Sequence, residues 1–151
     1  MTRKKIRVIQ YGLGPIGIET ARLVLKKSGM TIVGAVDISK DIAGKDLGEV
    51  LGLTEKLGVA LTDDAKGLFA RTKADVALHT TGSRFKKIYP DLEAMIGAGL
   101  NIISSSEELL FPLKENAEWS ERVDRLAKQH GVTVLGTGVN PGFVMDALPL
   151  F

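Results

Sequence analysis

The chain has 151 residues and no cysteine. That length suffices for one domain with a real core; the lack of thiols excludes a disulfide framework, a thiol nucleophile and a cysteine metal site, and fits a reducing, cytoplasmic setting. Hydrophobic residues are 44% and charged residues 25%, ordinary for a soluble globular protein, and a net charge of +2 gives no argument for nucleic acid.

After a basic start, Ile6 to Tyr11 is an almost continuous apolar run. It is far too short for a membrane span or signal-peptide core, and it predicts a strand covered on both faces. Gly12-Leu13-Gly14-Pro15-Ile16-Gly17 follows, and then a helix over Ile16 to Lys27 closed by Ser28-Gly29. Strand, G-x-G-x-x-G turn and helix are the first half of a dinucleotide-binding βαβ unit. Gly12 serves the tight turn, Gly14 lets a pyrophosphate approach the backbone, and Gly17 lets helix and strand lie close. Pro15 suits the first helical turn, and Ile16 lies beside it where the free N–H groups face the phosphates. The competing reading of the hexapeptide is a structural turn. A second strand, Thr31 to Val36, ends in Asp37, about 20 residues beyond the third glycine, where a carboxylate reaches the adenosine ribose hydroxyls. Its charge opposes a 2′-phosphate and favours NAD. Ser39 and Lys40 follow closely and keep NADP open.

The pattern weakens from Ile38 to Gly58, with a short helix expected around Asp46 to Leu51. Val59 to Leu61 reads as a third strand. Asp63-Asp64 caps a helix running to about Arg71. Asp75 to Thr80 is a fourth strand, leaving through Thr80-Thr81-Gly82-Ser83. A helical segment follows, interrupted or restarted at Pro90, with Asp91 to Ala98 its clearer half and Gly99 beyond its end. Leu100 to Ser104 is strand five. Ser105-Ser106-Glu107-Glu108 leads to an amphipathic stretch, Leu113 to His130, closed by Gly131, and Val132 to Leu135 is strand six. In the final stretch, Val144, Met145, Ala147, Leu148, Leu150 and Phe151 are expected on one buried helix face.

Alternating strands and helices predict an α/β fold: a doubly wound, mostly parallel Rossmann sheet of about six strands, with helices on both faces and strand order 3-2-1-4-5-6. Ligands bind such sheets at the carboxyl ends of the strands. Thr80, Thr81, Gly82 and Ser104 are therefore candidates for cofactor contact, against a plain capped turn. Asn140 and Pro141 follow strand six, with Asn140 a candidate for the nicotinamide carboxamide or the substrate, against a simple turn. Residues 1–140 form the expected dinucleotide-binding domain, and 141–151 the start of a further substrate or dimerisation domain. No metal site is expected, because His79 and His130 belong to no ligand-spaced cluster. His79 reads as a satisfied core histidine, Tyr89 and Trp119 as packing residues, and Lys86 and Lys87 as a solvated helix face rather than a carboxylate-binding pair.

Four stretches together carry a resemblance: Gly-Leu-Gly-Pro-Ile-Gly, Thr80-Thr81-Gly82-Ser83, Ser104-Ser105-Ser106-Glu107-Glu108-Leu109, and Gly136-Thr137-Gly138-Val139-Asn140-Pro141-Gly142-Phe143. Over essentially its whole length the chain resembles the N-terminal domain of the dihydrodipicolinate reductase-like superfamily, within it the 2,4-diaminopentanoate and amine dehydrogenases. The first motif is generic; the last two are much more specific. The resemblance implies NAD(P)-dependent oxidative deamination of an amine, reversible as reductive amination, with a small-molecule amine substrate. It also implies a second, mostly β domain that closes the pocket and forms a homodimer. It places a carboxylate near the substrate nitrogen, at Glu107 or Glu108. Carboxylates at a strand exit can take a proton from an ammonium, and desolvation there raises their pKa. The competing reading is a helix start with a serine cap and an acidic first turn. Two other functions stay open: a cyclic-imine reductase of the dihydrodipicolinate type, and an NAD(H)-sensing module without chemistry.

Overall fold

The computed structural model describes residues 4–112 and 114–151, apart from the side chain of Pro141. Its strands are β1 (Ile6–Tyr11), β2 (Met30–Val36), β3 (Leu61–Thr62), β4 (Val76–His79), β5 (Asn101–Ser104) and β6 (Val134–Gly136). They alternate with helices α1 (Pro15–Leu25), α2 (Leu47–Val50), α3 (Ala65–Arg71), α4 (Phe85–Gly97), α5 (Glu107–Leu110) and α6 (Ala117–His130). The sheet order is β3-β2-β1-β4-β5-β6, and the β1–β2, β2–β3 and β5–β6 pairs are parallel, as the doubly wound reading requires. The chain divides into two compact units, Met1–Leu78 and His79–Phe151. That division follows the two mononucleotide-binding halves of a doubly wound fold.

In the first unit, Val8, Ile32, Ala35 and Leu61 meet Ala21 and Val24 of α1 in a common core. β1 and β2 pair in register until one extra residue, Val33, sits between Ile32 and Gly34 on β2. Gly34 has no Cβ to strike Leu68 of α3, whose Cδ2 would lie 2.9 Å away. The weakly patterned connection is organised by Asp46. Its carboxylate accepts from the backbone N–H groups of Gly48, Leu57 and Gly58, each at 2.8 Å. Those donors hold the Asp46 carboxyl below the usual carboxylate range.

In the second unit, α4 buries Phe85, Ile88, Leu92, Met95 and Ile96, and α6 buries Val123 and Ala127. Tyr89 and Trp119 pack with ring centroids 4.9 Å apart, and the Arg122 guanidinium lies 5.0 Å from the Trp119 ring. Helix α6 ends at Gly131 in the left-handed conformation, as expected from the sequence.

Several expectations are corrected. The third strand is Leu61–Thr62, not Val59 to Leu61. Val59 and Leu61 instead flank an antiparallel bridge, with Leu47 N–H donating to the Val59 carbonyl and Leu61 N–H to that of Lys45. Pro90 does not interrupt α4. The carbonyl its missing N–H leaves without a helical donor belongs to exposed Lys86, where water can serve it. The Leu113-to-His130 stretch is a 3-10 turn, Lys114–Asn116, followed by α6; Leu113 lies outside the described residues. Residues Val139–Ala147 form a π-helical segment and Leu148–Leu150 a 3-10 turn. They bury no apolar face: Phe143 is 58% exposed, Met145 64% and Leu150 83%.

Candidate functional site

The glycine turn of the first unit is built by long-range bonds. Gly12 has φ +93°, a conformation that favours glycine. Its N–H donates to the Val36 carbonyl at 2.8 Å, and its carbonyl accepts from the fully buried Gln10 amide at 2.9 Å. Asp37 ties the turn to the second strand: Leu13 N–H donates to Oδ2 at 2.6 Å and Ser39 N–H to Oδ1 at 2.8 Å. Gly14 caps α1 without a side chain, Pro15 stands in its first turn, and Ile18 N–H already bonds the Gly14 carbonyl. No described residue accepts from the N–H groups of Ile16 and Gly17, as expected for a helix start. A Cβ at Gly14 would meet nothing within 4 Å. The first unit thus presents open space, free donors and the positive end of a helix beside a carboxylate, which fits a pyrophosphate and a ribose diol. Lys40 is bonded to Asp63, which holds the Asp63 carboxyl below its usual range.

In the second unit the exits of β4 and β5 are joined. Ser105 N–H donates to the His79 carbonyl at 3.0 Å, and the Ser106 hydroxyl donates to the Ser83 carbonyl at 2.9 Å. The Ser106 hydroxyl therefore does not cap α5, although acidic residues fill the first turn as expected. Thr80 is half-buried, and Thr81 and Gly82 are exposed. Ser104 is fully buried, its hydroxyl 2.9 Å from His79 Nδ1. His79 is the satisfied core histidine the sequence suggested: it is fully buried, with Nε2 2.7 Å from the Thr81 hydroxyl.

The two glutamates divide. Glu108 Oε2 accepts from Phe85 N–H at 2.8 Å and from the Asn116 amide at 3.3 Å, while Oε1 lies 3.7 Å from Arg84. It caps α4, whose own N-cap, Arg84, supplies no side-chain bond. Glu107 is exposed and has no hydrogen-bond or ion-pair partner among the described residues. The Glu108 side chain is 30% exposed. Asn140 is exposed, and Pro141 falls in the same π-helical segment, its side chain outside what is described. No described non-glycine residue has a positive φ, so Asn140 has an ordinary backbone conformation.

Gln10 and Gly136 are additions that sequence reasoning missed. Gln10 was signalled only by being the polar residue late in an apolar run. Gly136 admits α5: a Cβ there would lie 2.6 Å from the Leu110 nitrogen. A cavity of about 370 Å³ in the second unit is lined by Phe85, Leu109, Val123, Ala127 and Val134, among others, and by none of the candidate site residues. Among the described residues no His, Asp and Glu cluster could hold a metal ion, and no helix is long and apolar enough to cross a membrane.

A parallel doubly wound sheet, a glycine turn before an uncapped helix and an acidic residue at the tip of the next strand define an α/β domain of the Rossmann class. Residues 6–107 match the family described as dihydrodipicolinate reductase, N-terminus, and the chain belongs to that family. It is 36% identical over 148 residues to the 2,4-diaminopentanoate dehydrogenase of Acetoanaerobium sticklandii, covering 96% of this chain and 41% of that protein. It is 27% identical over 150 residues to an amine dehydrogenase of Streptomyces virginiae, covering 96% and 41%. The structure of an amine dehydrogenase from Mycobacterium smegmatis superposes with a TM-score of 0.85 at 38% identity, over 88% of this chain and 39% of that one. The chain thus spans about two-fifths of the length of these relatives.

Proposed function

We propose that the chain is the nicotinamide-dinucleotide-binding part of an oxidoreductase acting on a primary amine or diamino acid. The observation that carries the reading is the Asp37 carboxylate, fixed at the tip of β2 and bonded to the glycine turn at 2.6 Å. Gly12, Gly14, Pro15, Ile16 and Gly17 would hold the pyrophosphate against the α1 N-terminus, and Asp37 the adenosine ribose. The bound cofactor would supply hydride transfer; the chain supplies binding and orientation. Thr80, Thr81, Gly82, Ser104, Asn140 and Pro141 stay assigned to the nicotinamide half and the substrate. Similarity over 148 residues to 2,4-diaminopentanoate dehydrogenase supports amine chemistry. The reductase alternative is supported over a shorter stretch, 118 residues at 29% identity to the 4-hydroxy-tetrahydrodipicolinate reductase of Synechococcus elongatus.

NAD is favoured over NADP. Asp37 would repel a 2′-phosphate, and Lys40, the nearby cation that would attract one, is engaged by Asp63. Of the two glutamates, Glu107 has the uncommitted carboxylate and is assigned proton transfer at the substrate nitrogen; Glu108 holds the loop. A homodimer and a cytoplasmic setting belong to the same reading, the latter supported by the absence of cysteine.

Calorimetric titration tests the cofactor. NAD should bind with a lower Kd than NADP, and no heat with either would defeat the proposal. In the full-length protein Glu107→Gln should cost about 100-fold or more in turnover with an amine, the scale of general acid–base catalysis. Unchanged turnover would remove Glu107 from the mechanism.

A further inference from the structure

His79 lies in a chain of side chains confined to the second unit. Thr81 Oγ1 donates to Asp91 Oδ2 at 3.2 Å. A hydroxyl has one proton and an ionised carboxylate only accepts, so the Thr81 proton is committed. The 2.7 Å contact between Thr81 Oγ1 and His79 Nε2 then uses the ring N–H as donor, and Asp91 Oδ2 itself lies 3.5 Å from Nε2, so both neighbours call for a proton on that nitrogen. A neutral imidazole has one N–H, so Nδ1 is bare and accepts from the Ser104 hydroxyl at 2.9 Å. Ser104 Oγ, its own proton spent, accepts from Ser106 N–H at 3.2 Å. One consistent direction runs from Ser106 through Ser104, His79 and Thr81 to Asp91.

We infer that His79 is a positioning residue. Asp91 locks it in the Nε2–H tautomer, and that tautomer fixes the exits of β4 and β5 relative to each other. The ring is fully buried, so no water competes for either nitrogen. Those exits carry Thr81, Ser104 and the start of α5, so the lock sets where the candidate residues of this unit stand. The consequence for ligand binding rests on the dinucleotide reading; the tautomer does not.

The test is long-range proton–nitrogen correlation NMR on the chain, whose two histidines give two ring systems, assigned by His130→Asn. Wild type should show His79 with Nε2 protonated and Nδ1 bare. Asp91→Leu removes the terminal acceptor and frees Thr81 to donate to the ring, so it should move His79 substantially to the Nδ1–H form. Asp91→Asn keeps an acceptor oxygen and should restore the wild-type pattern. Calorimetry should show dinucleotide binding about three- to tenfold weaker in the leucine variant, the scale of one misplaced hydrogen bond, and recovery in the asparagine variant. An Nδ1–H or doubly protonated wild-type ring, or a leucine variant with an unmoved tautomer, overturns the lock. A moved tautomer with unchanged affinity overturns the positioning role. If wild type binds no dinucleotide, the cofactor reading fails while the spectra still decide the lock.

Discussion

At the scale of residues, neighbouring carboxylates of the same type have different surroundings. Glu108 replaces a missing local cap: Arg84 precedes α4 and offers no acceptor, so a carboxylate from α5 meets the Phe85 N–H. Removing a helix cap costs about 0.5–2 kcal/mol, so Glu108→Ala should lower the urea midpoint, with unfolding followed by circular dichroism. Glu107→Ala touches no such partner and should stay within about 0.5 kcal/mol of wild type in the same measurement. Such division is invisible in the sequence Ser-Glu-Glu, because it depends on which carboxylate meets a donor 23 residues away. Asp37 was legible for the opposite reason. Its place at the tip of β2 follows from its spacing after the glycine turn, and there it accepts from Leu13 N–H.

At the scale of elements, legibility tracks how local the deciding physics is. β1 occupies the expected Ile6–Tyr11, since a doubly covered strand declares itself by an unbroken apolar run. β3 begins only at Leu61 because the preceding residues are drawn to the 45–47 segment, Ala60 bridging Asp46 and the Val59 carbonyl accepting from Leu47 N–H. Helix α4 crosses Pro90 because buried Phe85 and Ile88 anchor its first turns. Residues 144–151 are apolar apart from Asp146, but periodicity says nothing about whether a partner surface lies opposite. The packing of α5 against β6 depends on Gly136, with backbone atoms of Leu109 and Leu110 less than 3 Å from a built Cβ. Backbone cannot yield as a side-chain tip can. Gly136→Ala should therefore destabilise the protein by about 1–3 kcal/mol, the usual cost of overpacking. It should also speed amide exchange in α5, measured by hydrogen–deuterium exchange.

At the scale of the whole molecule, acid should unfold this protein through carboxylates that carry no candidate function. Asp75 accepts from the Arg7 backbone N–H and guanidinium, at 2.8 Å from the backbone and from Nη2, and these bonds hold its carboxyl well below the usual carboxylate range. Asp46 is lowered by the backbone donors of its loop. A carboxylate depressed in the folded state stabilises fully above its unfolded pKa, about 3.9, and loses that contribution as pH falls through the lower folded value. Thermal midpoints should hold near neutrality and drop as pH falls below about 4. Asp75→Asn should lower the neutral midpoint and flatten the acid slope, a comparison made by calorimetry across pH. The double use of Asp37 has a consequence for redesign. The carboxylate that would discriminate between cofactors already closes the glycine turn onto the second strand through two N–H donors. Exchanging it for a neutral residue to admit a 2′-phosphate would leave those donors competing for at most one acceptor, so a change of cofactor preference at this position trades directly against the integrity of the turn.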